Sequence, residues 1–531
     1  MQGKKHLTPE LFTTVNIYDL VPTDNFYRRL SKDLSLDFIY KATKDYYGKE
    51  GQESIDPVVF FKILLVGYLN NINSDRQLIA FCSDSLSIRL FLGYDIHEQL
   101  PWHSTISRTR SLYGEEVFIE LFKTVLQLCV SKGMVRGKRQ AVDSAFIKAN
   151  ASMDSLVEKE VLDDADYYAD ELNENSEFKV SNTRTKQVEQ HHDWKKKAYK
   201  SMPKSSSKGD RKDEHGNLIR PKYLSNHTHY SSTDPDARIS VKPGKARQLN
   251  YFGQLAVDDA NHVITGACAD FADKRDSQCL EQIVEITKEN LEENHIELGE
   301  ILADAGYSSG EALKYLHEND IEAWMPNFGQ YTPEREGFVF NKEENRYDCI
   351  KEGGNQAKLH FKGEKTDSKG YTKKTYRSSE SDCKNCPLRE VCCGLKTNFK
   401  KIDDSIHKPL YDLMHKKLTK NPLYAKRMSK IRSKTVEPVL GTLINFLNMK
   451  KINSRGIQQA NKHVLMAAMT YNLKKYLKFI TKKPSITAQE MCLQIGKAQT
   501  CLKTFLFDLK STFLRYPIFQ NPNFNPKINL A

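Results

Sequence analysis

The first 135 residues consist of short apolar runs at helical spacing, separated by brief polar joints. The longest run, Pro57 to Leu69, opens with a proline suited to the first turn of a helix and continues with an apolar body. Two further runs begin at Asp75 and Ser85, residue types that commonly start helices. A last run covers residues 103–110, with Ser104 as its expected N-cap. The pattern predicts several short helices with tight joints.

The last of these helices is rich in hydroxyl side chains and arginine. Several short helices that end in such a segment are typical of a helix-turn-helix reader of DNA. We expect residues 1–135 to form a helical DNA-binding domain whose contacts come from Ser104, Thr105, Ser107, Arg108 and Arg110. A plain helical bundle is the alternative, because a helix-turn-helix has no sharp residue code.

From Lys138 the spacing changes, and residues 136–330 alternate between strand and helix patterns. The pattern predicts a strand, a hairpin, a helix, a buried strand, a helix and a final strand, which begin near residues 139, 250, 277, 300, 308 and 321. Ser308 and Glu311 have capping-box spacing for the second of these helices. This order is typical of an α/β fold with a mixed sheet.

Two polar segments interrupt the predicted fold. Residues 152–235 are polar and become lysine-rich, which indicates either a basic arm that touches DNA phosphates or a solvated insertion. Residues 331–405 are polar and carry cysteines, so we expect an inserted subdomain with little core of its own. Residues 406–480 return to a helical, basic pattern that we assign to the same domain as residues 136–330, and residues 481–531 form a looser tail.

The net charge narrows the choice of partner. The 531 residues include 80 Lys+Arg and 68 Asp+Glu, a formal charge of +12. An excess of this size favours an anionic partner, and DNA is the leading candidate because its phosphates attract lysine and arginine. The alternative is that a mildly basic charge has no specific meaning, as in many soluble proteins.

The sequence offers neither a signal peptide nor a membrane span, which favours a cytoplasmic location. The first residues, MQGKKHLTPE, lack the apolar core of a signal peptide, and the run from Pro57 to Leu69 is too short to span a bilayer. We therefore expect a cytoplasmic, nucleoid-associated protein with no membrane partner. In that compartment the 11 cysteines are expected to be free thiols or metal ligands rather than disulfides.

Two aspartates stand where an unpaired carboxylate is costly. Asp143 lies in the predicted strand at residue 139, and Asp304 ends the predicted strand at residue 300, both among apolar residues. A bound cation would remove that cost, and phosphodiester transfer uses two hard cations held by carboxylates. The alternatives are that Asp143 caps a turn through Ser144 and that Asp304 is the N-cap of the next helix.

Glu437 is the third candidate carboxylate. It precedes Pro438 and an apolar stripe at helical spacing, so we predict that it stands at the start of a helix. There it could serve merely as a glutamate that interacts favourably with the helix dipole. The sequence shows neither a Ser-His-Asp set nor a glycine-rich phosphate loop, which disfavours hydrolase and ATPase functions.

The cysteines of residues 331–405 are candidate zinc ligands. Cys383 and Cys386 form a Cys-x-x-Cys step, which can place two thiolates on one tetrahedral metal. Cys349 and either Cys392 or Cys393 would complete a structural zinc site. A reduced cluster without metal, or a redox pair, is the alternative, because one Cys-x-x-Cys is half of a clean zinc signature.

Several motifs, taken in order, resemble those of the DDE transposases of bacterial insertion sequences, and most closely the eleven-eighty-two group. The resemblance extends from about residue 15 to residue 480. It rests on Ile55-Asp-Pro-Val, Ser74-Asp-Arg-Gln-Leu, Phe91-Leu-Gly-Tyr, His103-Ser-Thr-Ile-Ser-Arg-Thr-Arg, Ala141-Val-Asp143-Ser-Ala-Phe-Ile-Lys, Ala303-Asp304-Ala-Gly-Tyr, Tyr424-Ala-Lys-Arg427, Val436-Glu437-Pro, Ser454-Arg455-Gly456 and Tyr471-Asn-Leu.

This resemblance implies an RNase H-like core in which Asp143, Asp304 and Glu437 bind two Mg²⁺ ions, with Mn²⁺ as a substitute. It also implies DNA contacts by Arg427 and Arg455, although either could be a structural ion-pair residue. Related families place a lysine seven residues after the glutamate, where this chain has Ile444. A phosphate contact at that position is therefore not carried over.

The expected function is that of a DNA transposase, which binds the ends of its element, cuts there and joins the freed 3′ hydroxyl to target DNA. The implied partners are double-stranded DNA and further copies of the chain, in a homodimer or a larger synaptic complex. The alternatives are an RNase H-like nuclease that does not transpose and an inactive copy that binds DNA as a repressor.

Overall fold

The computed structural model describes residues 16–48, 50, 54–159, 225–226, 228–241, 247–329, 331–367, 370–394 and 396–481. Most of the predicted basic arm (residues 152–235) and nearly all of the predicted tail (residues 481–531) lie outside these residues.

The N-terminal part is helical, as predicted. Its helices are α1 (Ile17–Leu20), α2 (Phe26–Asp33), α3 (Phe38–Ala42), α4 (Pro57–Leu69), α5 (Asp75–Asp84), α6 (Leu86–Leu92), α7 (His103–Leu112) and α8 (Glu115–Ser131). Helix α4 is buried almost continuously from Phe60 to Tyr68, because it is apolar on all sides. The Asp56 side chain caps it by accepting the backbone N–H groups of Val58 and Val59.

Three predicted helix N-caps are wrong by one or two residues. Helix α7 begins at His103 after Trp102, so Ser104 lies inside the first turn and is not the N-cap. Ser74 rather than Asp75 caps α5, since its hydroxyl accepts the N–H of Gln77. Likewise the cap of helix α10 (Gly310–Glu318) is Ser309, not Ser308. In α5 and α10 a hydroxyl in extended backbone, next to the predicted residue, makes the capping bond.

A mixed sheet follows, which confirms the predicted α/β class. Its strands are β1 (Arg139–Lys148), β4 (Arg238–Ser240), β5 (Gln248–Asp258), β6 (Ile264–Phe271), β7 (Glu300–Leu302) and β8 (Glu322–Trp324). Strand β5 pairs antiparallel with β1 on one edge and with β4 and β6 on the other, while β7 is parallel to both β1 and β8. Helix α9 (Asp276–Glu292) packs on the sheet through its apolar stripe of Leu280, Ile283 and Val284.

The predicted cysteine-bearing insertion builds more structure than its polar composition suggests. It forms an antiparallel sheet of β9 (Phe338–Asn341), β10 (Arg346–Cys349), β11 (Lys358–Thr366), β12 (Thr372–Ser378) and β13 (Lys401–Ser405), with the short helices α11 (Glu380–Lys384) and α12 (Arg389–Cys393). A small core of Phe338, Tyr347, Leu359, Tyr376 and Ile402 supports it. The core is small, as predicted, and a few aromatic residues spaced along the strands are enough to support the sheet. Elsewhere β2 (Leu156–Glu158) pairs with β3 (His229–Ser231).

Two long helices carry the chain back to the mixed sheet, α13 (Lys408–Lys420) and α14 (Pro422–Phe446). The prediction that Glu437 starts a helix was wrong, since α14 begins at Pro422 and Pro438 lies inside it. The Asn421 side chain caps α14 by accepting the N–H of Tyr424 at 3.0 Å. The helix continues through Pro438 because buried apolar residues on both sides of it, Val436 and Val439, hold it against the protein.

The N-terminal helices pack against a later helix that covers residues 457–472. The Tyr68 hydroxyl lies 2.6 Å from Nδ1 of buried His463, and Lys462 donates to the backbone carbonyls of Arg110 and Tyr113. The described residues up to 472 cluster as one compact unit, and the described residues of a second unit, 473–481, are helical. Among the helices that the structure describes, none has the length and apolar character needed to cross a bilayer.

Candidate active site

Asp143 occupies the middle of the central strand β1. It is half-buried, and its Oδ1 accepts the N–H of Ser144 at 2.8 Å. Burial raises the pKa of this carboxyl, and the charge of Asp304 raises it further, whereas the Ser144 N–H and the Arg432 guanidinium lower it. Burial therefore disfavours the charged form of this carboxylate, and a cationic partner favours it.

Asp304 follows β7, the parallel neighbour of β1. Its Oδ1 accepts the N–H of Gly306 at 2.8 Å and so caps a 3₁₀ turn at Ala305–Tyr307. Asp304 is therefore an N-cap, as the alternative interpretation held, but it caps this 3₁₀ turn and not helix α10. Because β1 and β7 are adjacent, the structure brings Asp304 close enough to Asp143 to shift the pKa of that carboxyl.

Glu437 joins this pair through an arginine. Helix α14 packs on β1, and Arg432 in that helix donates from Nη1 to Oδ2 of Asp143 at 2.9 Å and from Nη2 to Oε1 of Glu437 at 3.2 Å. The side chains of Arg432 and Asp143 are 13% and 19% exposed, whereas that of Glu437 is 56% exposed. The Arg432 guanidinium therefore links Asp143 to Glu437, and the charge of Asp304 acts on the same aspartate.

Sequence reasoning missed Arg432. With α14 begun at Pro422, Met428, Arg432 and Val436 are spaced four residues apart and share one face of the helix. Met428 and Val436 are buried, so a charged residue between them faces the protein. This signal was hidden by the wrong helix start at Glu437.

A fourth carboxylate, Asp276, also lies at this point. It is the first residue of α9, and its side chain accepts the hydroxyl of Ser144. The buried Tyr307 hydroxyl donates to Gln254 at 2.8 Å, and its pKa is raised by burial and then by the charges of Asp276, Asp143 and Asp304. In the sequence, an aspartate before an apolar stripe indicates only a favourable helix start.

The three predicted carboxylates can be compared with the ligands that the two Mg²⁺ ions implied by the resemblance would need. Within the described ranges, no three His, Cys, Asp or Glu side chains are placed to hold one metal ion together. Mg²⁺ needs only one or two carboxylates, with water in the remaining positions. The charge of Asp304 raises the pKa of Asp143, and the Arg432 guanidinium bridges Asp143 and Glu437. These carboxylates are of the kind that Mg²⁺ prefers, but in the described residues they are not assembled into a metal site.

The predicted DNA contacts of α7 are divided between surface and interior. Ser104, Ser107 and Arg108 are exposed, and Ser107 and Arg108 follow Ser104 by three and four residues, so they share one face. Thr105 is half-buried. Arg110 donates to both carboxylate oxygens of Asp75, at 2.6 and 3.0 Å, which ties α7 to α5. Arg110 therefore has a structural ion pair in addition to any contact with DNA.

The other two predicted DNA contacts lie much later in the sequence than α7. Arg427, in α14, and Arg455, just before the helix at residue 457, are both exposed. Three further lysines of α14, at residues 426, 430 and 434, are exposed as well. These basic side chains precede Glu437 on the helix that carries it.

The predicted zinc ligands are brought together but not into a complete site. Cys349, Cys383, Cys386, Cys392 and Cys393 line one small cavity beside the second sheet. Burial, and then the neighbouring thiols of Cys383 and Cys392, raise the pKa of Cys393 to about 11. All five are free thiols, and in the described part of the chain no three of them are close enough to hold one ion.

Comparison with known families gives two matches. Residues 15–112 match the family model of a transposase domain (DUF772), and residues 353–477 match that of a transposase DDE domain. The second match includes Arg432 and Glu437, while Asp143 and Asp304 lie outside both. No curated protein and no solved structure matches the chain significantly.

Proposed function

The chain belongs to the DDE transposases of insertion sequences, and from this premise we propose that it cuts DNA at the ends of its element and joins the freed ends to target DNA. The observation that carries the proposal is the convergence of Asp143, Asp304 and Glu437 from adjacent elements. We also propose that the mixed sheet is an RNase H-like core, which the order β6–β5–β1–β7–β8 supports.

In this proposal Asp143, Asp304 and Glu437 hold two Mg²⁺ ions, which Mn²⁺ can replace. When bound, such ions activate the attacking oxygen and stabilise the leaving oxygen of an in-line displacement. The carboxylate of Asp143 is positioned by the Ser144 N–H, and that of Asp304 by the Gly306 N–H. The two aspartates stay fixed by backbone bonds, whereas Glu437, more exposed, completes the site from a separate helix.

A strand-transfer assay tests the proposed function. Labelled DNA that carries the element's end is incubated with a target plasmid and Mg²⁺. Joined products support transposition, cut ends without joining favour a nuclease, and binding without cutting favours a repressor. We further propose a homodimer or larger complex, because two DNA ends must be joined to one target and one active site handles one end.

We propose that a row of lysines on α14 contacts DNA and that this row ends beside the active site. Lys426, Lys430 and Lys434 repeat every four residues, so they lie on one face, and Glu437 follows Lys434 at the next turn. All three lysines are exposed, and in the part of the chain that the structure describes none pairs with an acidic side chain. Lysines in this arrangement can neutralise the phosphates of one DNA strand and lead it to the carboxylates.

Replacement of the three lysines by glutamine should weaken DNA binding and reduce its salt dependence. Each lost phosphate contact lowers the slope of log affinity against log salt by about 0.9, so the triple variant should lose roughly 2.7. Fluorescence anisotropy with labelled duplex at several salt concentrations measures both quantities. A control replaces Lys288 and Lys314, which pair with glutamates of their own helices, and should leave the slope unchanged. An unchanged slope in the triple variant would remove this row from the DNA surface.

We also propose a structural zinc ion at the cysteine cavity, bound by Cys349, Cys383, Cys386 and Cys392 or Cys393. The shared cavity supports it, but the thiols would have to move closer together and lose their protons. Elemental analysis of protein purified without chelator or a histidine tag should then find about one zinc per chain. Cys383→Ser should lower both the zinc content and the thermal stability. Zinc near zero, with five freely titratable thiols in the folded protein, would refute this site.

A further inference from the structure

Arg432 holds two of the carboxylates that are proposed to bind cations. Its Nη1 lies 2.9 Å from Oδ2 of Asp143, and its Nη2 lies 3.2 Å from Oε1 of Glu437. One guanidinium thus joins a strand, β1, to a helix, α14, at the active site. With 13% of its side chain exposed, it is well shielded from water.

This position makes Arg432 a charge partner rather than a surface side chain. An arginine stays protonated in proteins, so it cannot lose its charge when another cation approaches. A partly buried guanidinium is stable there only while acceptors surround it, and the acceptors are the oxygens of Asp143 and Glu437. A cation that takes Oδ2 of Asp143 and Oε1 of Glu437 competes with the guanidinium for these oxygens.

We propose that Arg432 and a divalent cation compete for the oxygens of Asp143 and Glu437, so that cation binding releases the guanidinium toward DNA. The inference rests on the proposed function, because it takes these two carboxylates as cation ligands. Arg432 is then a positioning residue for Glu437 before the cation binds and a phosphate contact afterwards.

The released side chain has a fitting acceptor nearby if DNA lies along α14. A guanidinium presents a planar fork that matches two phosphate oxygens, and it loses little hydration when it binds them. Arg432 already reaches the exposed side chain of Glu437, which follows Lys434 of the proposed DNA row by one helical turn. Phosphate would therefore replace the carboxylates as the partner of Arg432.

The exchange couples the two ligands. A cation frees the arginine for DNA, and DNA that binds the arginine frees the carboxylates for the cation. By linkage the two effects have the same size, so DNA should tighten cation binding by the factor by which the cation tightens DNA binding. Without Arg432 this coupling should shrink.

The test measures Mn²⁺ affinity of the DNA-free full-length protein by electron paramagnetic resonance of the free ion. Arg432→Gln should bind Mn²⁺ more tightly than the wild type, by roughly tenfold, because charged hydrogen bonds that compete are removed. Arg335→Gln is the matched control, since Arg335 pairs with Asp404 at 2.7 Å rather than with a predicted ligand, and it should bind as the wild type does. DNA cleavage by Arg432→Gln in saturating Mn²⁺ should nevertheless fall.

Tighter binding is a result that mere damage to the fold does not produce. Equal or weaker Mn²⁺ affinity in Arg432→Gln would overturn the competition, whatever its effect on cleavage. Should that variant fail to fold, Arg432→Lys keeps the charge but cannot bridge both carboxylates, and it should also bind more tightly than the wild type. If the wild type binds Mn²⁺ and the Arg432 substitutions leave that affinity unchanged, the competition is rejected but the proposed function is not. No Mn²⁺ binding and no cleavage by any variant rejects the proposed function as well.

Discussion

Asp143→Asn is expected to reduce DNA cleavage by roughly 10²- to 10³-fold, the scale at which one preorganised electrostatic group contributes to catalysis. The substitution keeps the shape of the side chain and removes the charge that both proposed ions share. Cleavage of labelled element-end DNA in Mg²⁺ measures the effect. Asp273→Asn is the control, because Asp273 is an exposed aspartate that precedes α9 and pairs with Arg238.

Asp304→Asn and Glu437→Gln should abolish cleavage to a similar degree, while all three variants bind DNA largely as before. Binding survives because the proposed DNA surface consists of other residues, on α7 and α14. A variant that still cuts at the normal rate in Mg²⁺ would show that its residue lies outside the active site. Asp276 offers a comparison, since it accepts the hydroxyl of Ser144 and is not one of the three proposed ligands.

Acidification is expected to destabilise the protein through His463. Burial lowers the pKa of this histidine from 6.5 to about 4. The unfolded chain therefore binds one more proton than the folded chain between these pH values, and stability falls as the pH falls from 6.5 toward 4. The loss is about 1.4 kcal/mol per pH unit, or roughly 3 kcal/mol in total.

The thermal unfolding midpoint between pH 4 and pH 7 measures this loss. His463→Phe should show a smaller decrease toward low pH than the wild type, although it leaves the Tyr68 hydroxyl without its partner. His317→Gln, at an exposed histidine, should follow the wild type. Identical pH profiles for the wild type and His463→Phe would show that His463 is not neutral in the folded protein. The contact between Tyr68 and His463 joins the two separate regions of the sequence that match transposase families.

The sequence was sufficient to predict the mixed sheet, because strands β1, β5, β6 and β7 have clear apolar patterns and turn signals. It also placed Asp143 correctly within a strand, whereas Asp304 lies two residues after β7 rather than in it. Their adjacency could not be derived from spacing, since it depends on β7 pairing beside β1 rather than next to β6, its neighbour in the chain. Pairing of strands that are distant in sequence is decided by packing.

The helix that carries Glu437 shows where local rules fail. A proline after the glutamate indicated a helix start, but Asn421 and Pro422 start the helix 15 residues earlier, and buried residues carry it through Pro438. The error concealed Arg432, whose position on the buried face is visible only with the correct start. Asp276 was missed for a different reason, because its contact with Ser144 joins elements that are 132 residues apart.

The number of ions bound by each variant tests most directly that Asp143 is shared by two cation sites. Mn²⁺ binding to the protein with element-end DNA should reach about two ions per chain in the wild type. Asp304→Asn and Glu437→Gln should each lose about one ion, while Asp143→Asn should lose both. Asp143→Asn that binds as many ions as the wild type would contradict the proposed active site.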